Sequence, residues 1–155
     1  MNDVPVPARL ETADIMRIME MIPHRFPMLL IDRVVDIIPD KSATGIKNVT
    51  INEQYFQGHF PKRPVVPGVM IIESMAQTAA VLVVHTLGAK SEGKVVYFMS
   101  IDDARFRQPI VPADQMRVYV EKTKSRGAVW KFTSRVTVEG QLAAEASYAA
   151  MIQDN

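Results

Sequence analysis

One stretch constrains this chain more than any other. From Val69 to Leu87 the residues are apolar, broken only by a few polar side chains that include Glu73, Gln77, Thr78 and His85. Gly68 precedes the stretch and Gly88 follows it, a start and a stop for a helix over 68–87. A helix of that length measures about 30 Å. Its longest unbroken apolar run, Ala79–Val84, falls far short of the ~18 residues expected of a membrane span. It therefore reads as a helix buried inside a protein. A helix apolar on nearly every side must be wrapped on most of its circumference. We expect one subunit to be insufficient for that, so that part of the helix faces a second copy.

The wrapping comes from strands. Met28–Ile38, Lys41–Ile51, Lys94–Arg107, Gln115–Lys124, Ala128–Val138 and Gln141–Ile152 all read as extended. In Ala128–Val138, Trp130, Phe132, Val136 and Val138 alternate with Lys131, Thr133, Arg135 and Thr137. Period-two alternation marks a sheet with one covered face. Arg126-Gly127 and Glu139-Gly140 read as hairpin turns. A curved antiparallel sheet of about six strands around one central helix satisfies both surfaces, an α+β arrangement. A short helix over 12–22, capped by Thr12 and stopped by Pro23, is predicted to lie on its outside. With 155 residues and no linker or repeat, we expect a single domain spanning 1–155.

Composition removes several functions. Lys plus Arg is 18 and Asp plus Glu 17, a net charge of +1, so no global charge favours nucleic acid. There is no cysteine, which excludes disulfides, thiolate metal sites and cysteine nucleophiles and permits a reducing cytoplasm. Met1–Leu10 has no apolar core and does not read as a signal peptide.

The chemistry concentrates between Tyr55 and Gln77. Of the 3 histidines, His24 and His85 read as packing residues. His59 stands among Pro61, Pro64 and Pro67, whose fixed φ values hold a side chain in one place. Glu73 is a lone carboxylate on an apolar helix, and Gln77 lies one turn on, within hydrogen-bond reach. Gly68 opens the helix; its backbone N–H and that of Val69 have no intrahelical acceptor and can stabilise an oxyanion. A base, an acid and an oxyanion donor suit proton abstraction beside a thioester carbonyl with loss of a β-hydroxyl. They equally suit thioester hydrolysis, with Glu73 activating water. A non-catalytic acyl-binding module is a third reading, disfavoured because a plain binding tunnel has no reason to hold a carboxylate.

Gly58-His-Phe-Pro-Lys-Arg-Pro-Val-Val-Pro-Gly-Val69, followed by Ile71-Ile-Glu-Ser-Met-Ala-Gln77, resembles the active-site signature of FabZ-type (3R)-hydroxyacyl-[acyl carrier protein] dehydratases. Ile22–Pro27, Leu29–Val34, Tyr97-Phe98, Ile101-Asp102, Arg105–Arg107 and Pro109–Pro112 extend the likeness over nearly the whole chain. The resemblance implies the hotdog fold and a hydro-lyase of type II fatty acid biosynthesis in the cytoplasm. It implies dehydration of (3R)-3-hydroxyacyl-[acyl carrier protein] to the trans-2-enoyl thioester, with no metal or organic cofactor and no membrane or nucleic-acid partner. His59 and Glu73 become the catalytic pair, from opposite subunits of a homodimer commonly assembled as a trimer of dimers. Gly68 would hold the thioester oxygen, Gln77 would orient Glu73, and Pro67 and Val69 complete the substrate-binding set. Glu73, where the isomerising branch carries Asp, argues for dehydration without isomerisation. Departures are small: Lys62 and Ala113 stand where the family often has glycine, Val66 where it often has methionine. Lys62, Arg63, Arg105 and Arg107 form a candidate docking patch for the acidic carrier.

Overall fold

The computed structural model describes residues 10–154; the expectation for Met1–Leu10 lies, apart from Leu10, outside them. Seven strands form one antiparallel sheet: β1 (Glu11–Ala13), β2 (Arg33–Ile38), β3 (Ser42–Asn48), β4 (Val95–Phe106), β5 (Gln115–Arg126), β6 (Val129–Val138) and β7 (Gln141–Gln153). Their order across the sheet is β1-β2-β3-β5-β6-β7-β4, so β4 leaves the chain order and becomes the far edge. Among the described residues two α-helices complete the fold, α1 (Ile15–Met21) and α2 (Gly68–Leu87). This is the hotdog arrangement of a curved sheet around one central helix.

The α2 helix is the axis of the core. Its 20 residues run from Gly68 to Leu87, where Gly88, at φ 92°, ends it. Every residue from Ser74 to Val84 is buried. One chain therefore covers the middle of the helix, with Ile18, Met21, Ile22, Leu30 and Ile31 packed into the same core, while Val69 and Leu87 near its ends stay exposed. The sheet approaches closely at Gly45 of β3, where a Cβ would overlap the Thr78 hydroxyl and come 3.0 Å from its methyl. Glycine stands there because nothing larger fits. By length and apolarity α2 could cross a membrane, but 72% of its apolar window lies inside the protein.

Several local expectations shift. The sheet has seven strands where about six were expected, because Glu11–Ala13 pairs with β2. Thr12 lies in that strand and caps nothing; Asp14 is the N-cap, its carboxylate accepting from Arg17 N at 2.9 Å. The extended run expected from Met28 begins as a strand only at Arg33. Before it the chain turns, with Met28 N and Leu29 N both donating to Arg25 O, and the Phe26–Pro27 peptide is cis. Hairpin turns fall at Gly127-Ala128, one residue later than expected, and at Glu139-Gly140. Glu139 and Gly140 both have positive φ, the backbone that matches the twist of the flanking strands.

Candidate functional site

The proline-rich segment leading into α2 is tied down by its backbone. His59 N donates to Tyr55 O at 3.0 Å, Val65 N to His59 O at 3.1 Å, and Val66 N to Ile110 O at 2.8 Å. Phe60 N and Arg63 N exchange bonds with each other's carbonyls, closing a small loop. The imidazole of His59 is fixed in turn: its Nδ1 lies 2.8 Å from Val65 O and its ring stacks on Phe60, centroids 4.2 Å apart. A carbonyl only accepts, so Nδ1 carries the hydrogen. In the neutral ring Nε2 then presents a lone pair, the form required of a general base.

His59 lines a cavity of about 720 Å³. His59, Pro67, Gly68 and Val69 line it, with Val66, Ile72, Phe106 and Ile110 as apolar walls. At the helix start, Met70 N and Ile71 N turn to Pro67 O, which leaves the N–H groups of Gly68 and Val69 for a ligand oxygen. Gly68 has no room for a side chain: a Cβ would lie 2.9 Å from the tip of the Phe106 ring. Those free N–H groups at the positive end of a 20-residue helix dipole favour developing negative charge.

Glu73 does not share that cavity. It sits in a separate niche of about 20 Å³, with His24, Ala76, Val96, Phe98 and Ala150. Gln77 holds it: Gln77 Nε2 donates to Glu73 Oε1 at 3.0 Å. The amide of Gln77 is itself clamped, donating to Met28 O at 2.6 Å and accepting from Leu30 N at 2.9 Å. Met28 and Leu30 thus give up strand pairing to fix a side chain on the helix, which is why β2 starts late. His24 Nε2 approaches the same Glu73 Oε1 at 3.4 Å.

The structure therefore brings His59, Pro67, Gly68 and Val69 together, and Glu73 with Gln77, as two separate clusters with no lining residue in common. His24, read as a packing residue from sequence, lies beside Glu73 in the second cluster. His85 is partly exposed and pairs with Glu11 of β1, away from both. Among the described residues no group of three His, Asp or Glu side chains could hold a metal ion.

Residues 22–147 match the model of the FabA-like domain family. The chain is 64% identical over 141 residues to the 3-hydroxyacyl-[acyl-carrier-protein] dehydratase FabZ of Paramagnetospirillum magneticum, covering 91% of this chain and 88% of that one. It is 59% identical to the FabZ of Rhodospirillum rubrum, covering 92% and 89%. Among solved structures, the dehydratase heterocomplex ApeI:P from Xenorhabdus doucetiae superposes with TM-score 0.77 at 15% identity, over 89% of this chain and 91% of that one. A hypothetical thioesterase from Streptococcus pneumoniae, solved with coenzyme A, superposes with TM-score 0.57 at 9% identity, over 76% and 83%. Likenesses at such low identity establish the fold alone. The chain belongs to the FabA-like family and, by its relatives, to the FabZ dehydratases within it.

Proposed function

We propose that this FabZ-group member of the FabA-like family removes water from (3R)-3-hydroxyacyl thioesters on acyl carrier protein, giving trans-2-enoyl thioesters for fatty acid synthesis. The observation that carries the residue assignment is the locked imidazole. Val65 O holds the Nδ1–H of His59 and leaves Nε2 free beside unused helix N–H groups. The thioester carbonyl acidifies C2. His59 Nε2 takes the C2 proton, and the electron pair of that bond becomes the C2–C3 double bond. The C3–O bond breaks as Glu73 gives its proton to the leaving hydroxyl, so water departs. Gly68 N–H, with Val69 N–H beside it, stabilises the negative charge that builds on the thioester oxygen. His59 then carries one proton more and Glu73 one fewer, and solvent exchange resets both.

Two half-sites in separate cavities support a shared active site, with His59 from one subunit and Glu73 from its partner. The free edge strand β4 supports the same assembly: Tyr97, Phe98, Met99, Ile101 and Phe106 are all exposed on a 12-residue edge. An apolar edge of that length pairs with another chain unless something prevents it. A homodimer with a continuous sheet follows, and trimers of such dimers extend the reading. Lys62 and Arg63 are exposed beside the His59 cavity, and Arg107 lines it while bonding Glu145 at 2.8 Å. They form the docking face for an acidic carrier; Arg105 lies nearby, opposite Glu145 across the sheet. The cysteine-free composition fits a reducing cytoplasm.

The direct test is incubation of the purified protein with a 3-hydroxyacyl-carrier thioester. Appearance of enoyl thioester is expected; release of free acid would make the protein a hydrolase instead.

A further inference from the structure

We propose that His24 is a positioning residue for Glu73, holding the carboxyl so that its transferable proton sits on Oε2. The inference rests on the dehydratase reading and on Glu73 as its acid. His24 Nδ1 is buried and has no hydrogen-bond partner. An N–H there would be left without an acceptor, which costs more than an unused lone pair. The hydrogen therefore belongs on Nε2, the nitrogen that faces Glu73 Oε1 at 3.4 Å. That distance is long for a bond in the free protein and of the kind that shortens once substrate is bound.

Oε1 is also the acceptor of the Gln77 amide. Gln77 thus donates to Oε1, and His24 Nε2 lies within reach of the same oxygen. When Glu73 is protonated, the proton is placed on the other oxygen, Oε2, and is aimed away from both donors. Gln77 is anchored to Met28 and Leu30, whereas His24 sits just before Arg25. The Arg25 guanidinium holds that loop by donating to Met19 O at 2.8 Å and Ile22 O at 3.1 Å, at the end of α1. The carboxyl is therefore gripped from two parts of the 22–30 loop. The niche that Glu73 and His24 help to line, about 20 Å³, is large enough for one water molecule.

The test compares His24→Leu with His24→Gln, in the full-length protein and in the Glu73→Gln background. Glutamine places an amide N–H where Nε2 stood; leucine fills the space without a donor. His24→Leu is expected to lower kcat roughly 10- to 100-fold with KM little changed, the scale of a lost hydrogen bond to a reacting group. His24→Gln is expected to restore most of kcat. In the Glu73→Gln background, where no acid remains, His24→Leu should have no further effect. If the leucine variant does not fold, His24→Asn, whose amide is too short to reach, replaces it with the same expected loss. Equal activity of the leucine and glutamine variants, or a loss confined to KM, would overturn the proposal. So would an undiminished effect in the Glu73→Gln background. Wild-type turnover in Glu73→Gln alone would instead remove the assignment of Glu73, a separate failure.

Discussion

In β6, Trp130, Phe132, Ser134 and Val136 are buried while Lys131, Thr133 and Arg135 face solvent. In β4, two strands away across β7, hardly any residue is covered, although Tyr97, Phe98, Met99, Ile101 and Phe106 are as apolar as anything in β6. Both strands carry β-forming residues, and both pair with β7. The difference lies in what each lies against. β6 closes over α2, which the single chain covers completely between Ser74 and Val84. β4 has a neighbour on one side only and offers the other to solvent. The fold of one chain is thus complete at its axis and incomplete at its edge. The proposed site has the same character, with an acid in one niche and a base in a separate cavity.

The comparison can be broken at either strand. Ile101→Lys places a charge on the bare edge without touching the core. If β4 joins two subunits, this variant should run as a monomer by light scattering. It should also lose activity by roughly two to four orders of magnitude, as though each site had lost an acid or a base. A fully active Ile101→Lys monomer would show that the edge has no part in the site. At the covered strand the effect should fall on stability instead. Phe132 is 2% exposed and stacks with Tyr148, so Phe132→Ala should cost about 3–5 kcal/mol in denaturant unfolding. Gly45→Ala tests how tightly the sheet closes on the helix. The added methyl meets Thr78 head-on, and a loss of about 1–3 kcal/mol is expected from overpacking. Thr78→Ala in the same chain should recover most of it, because the clash is with that side chain.

The same contrast separates what the sequence made legible from what it did not. The α2 helix could be read because its apolar run is long and bounded by Gly68 and Gly88, both local signals. The strands from β5 onward could be read because alternation and turn residues are local too. β1 could not: three residues carry no period, and only pairing with β2 makes them a strand. The late start of β2 follows from Gln77 seizing Met28 O and Leu30 N, bonds that span 49 and 47 residues. The nearness of His24 to Glu73 was hidden for the same reason. A histidine in a Pro-His-Arg loop has no local signature of a role, and only the fold brings it to Glu73. His59 and Glu73 were conspicuous as a base in a stiffened loop and a charge on an apolar helix. Their separation into two cavities required coordinates.

The central claim is that one active site draws on two chains, and subunit mixing tests it most directly. His59→Ala and Glu73→Gln proteins, each expected to lose about two to four orders of magnitude of turnover, are combined under exchange conditions. Mass measurement confirms that mixed dimers form. In a shared arrangement, a mixed dimer contains one site with both groups intact and one with neither. Activity should therefore rise far above either parent, towards a quarter of wild type at full random exchange, since roughly half the dimers regain one of two sites. No recovery with exchange confirmed would place His59 and Glu73 of each site in the same subunit and contradict the account.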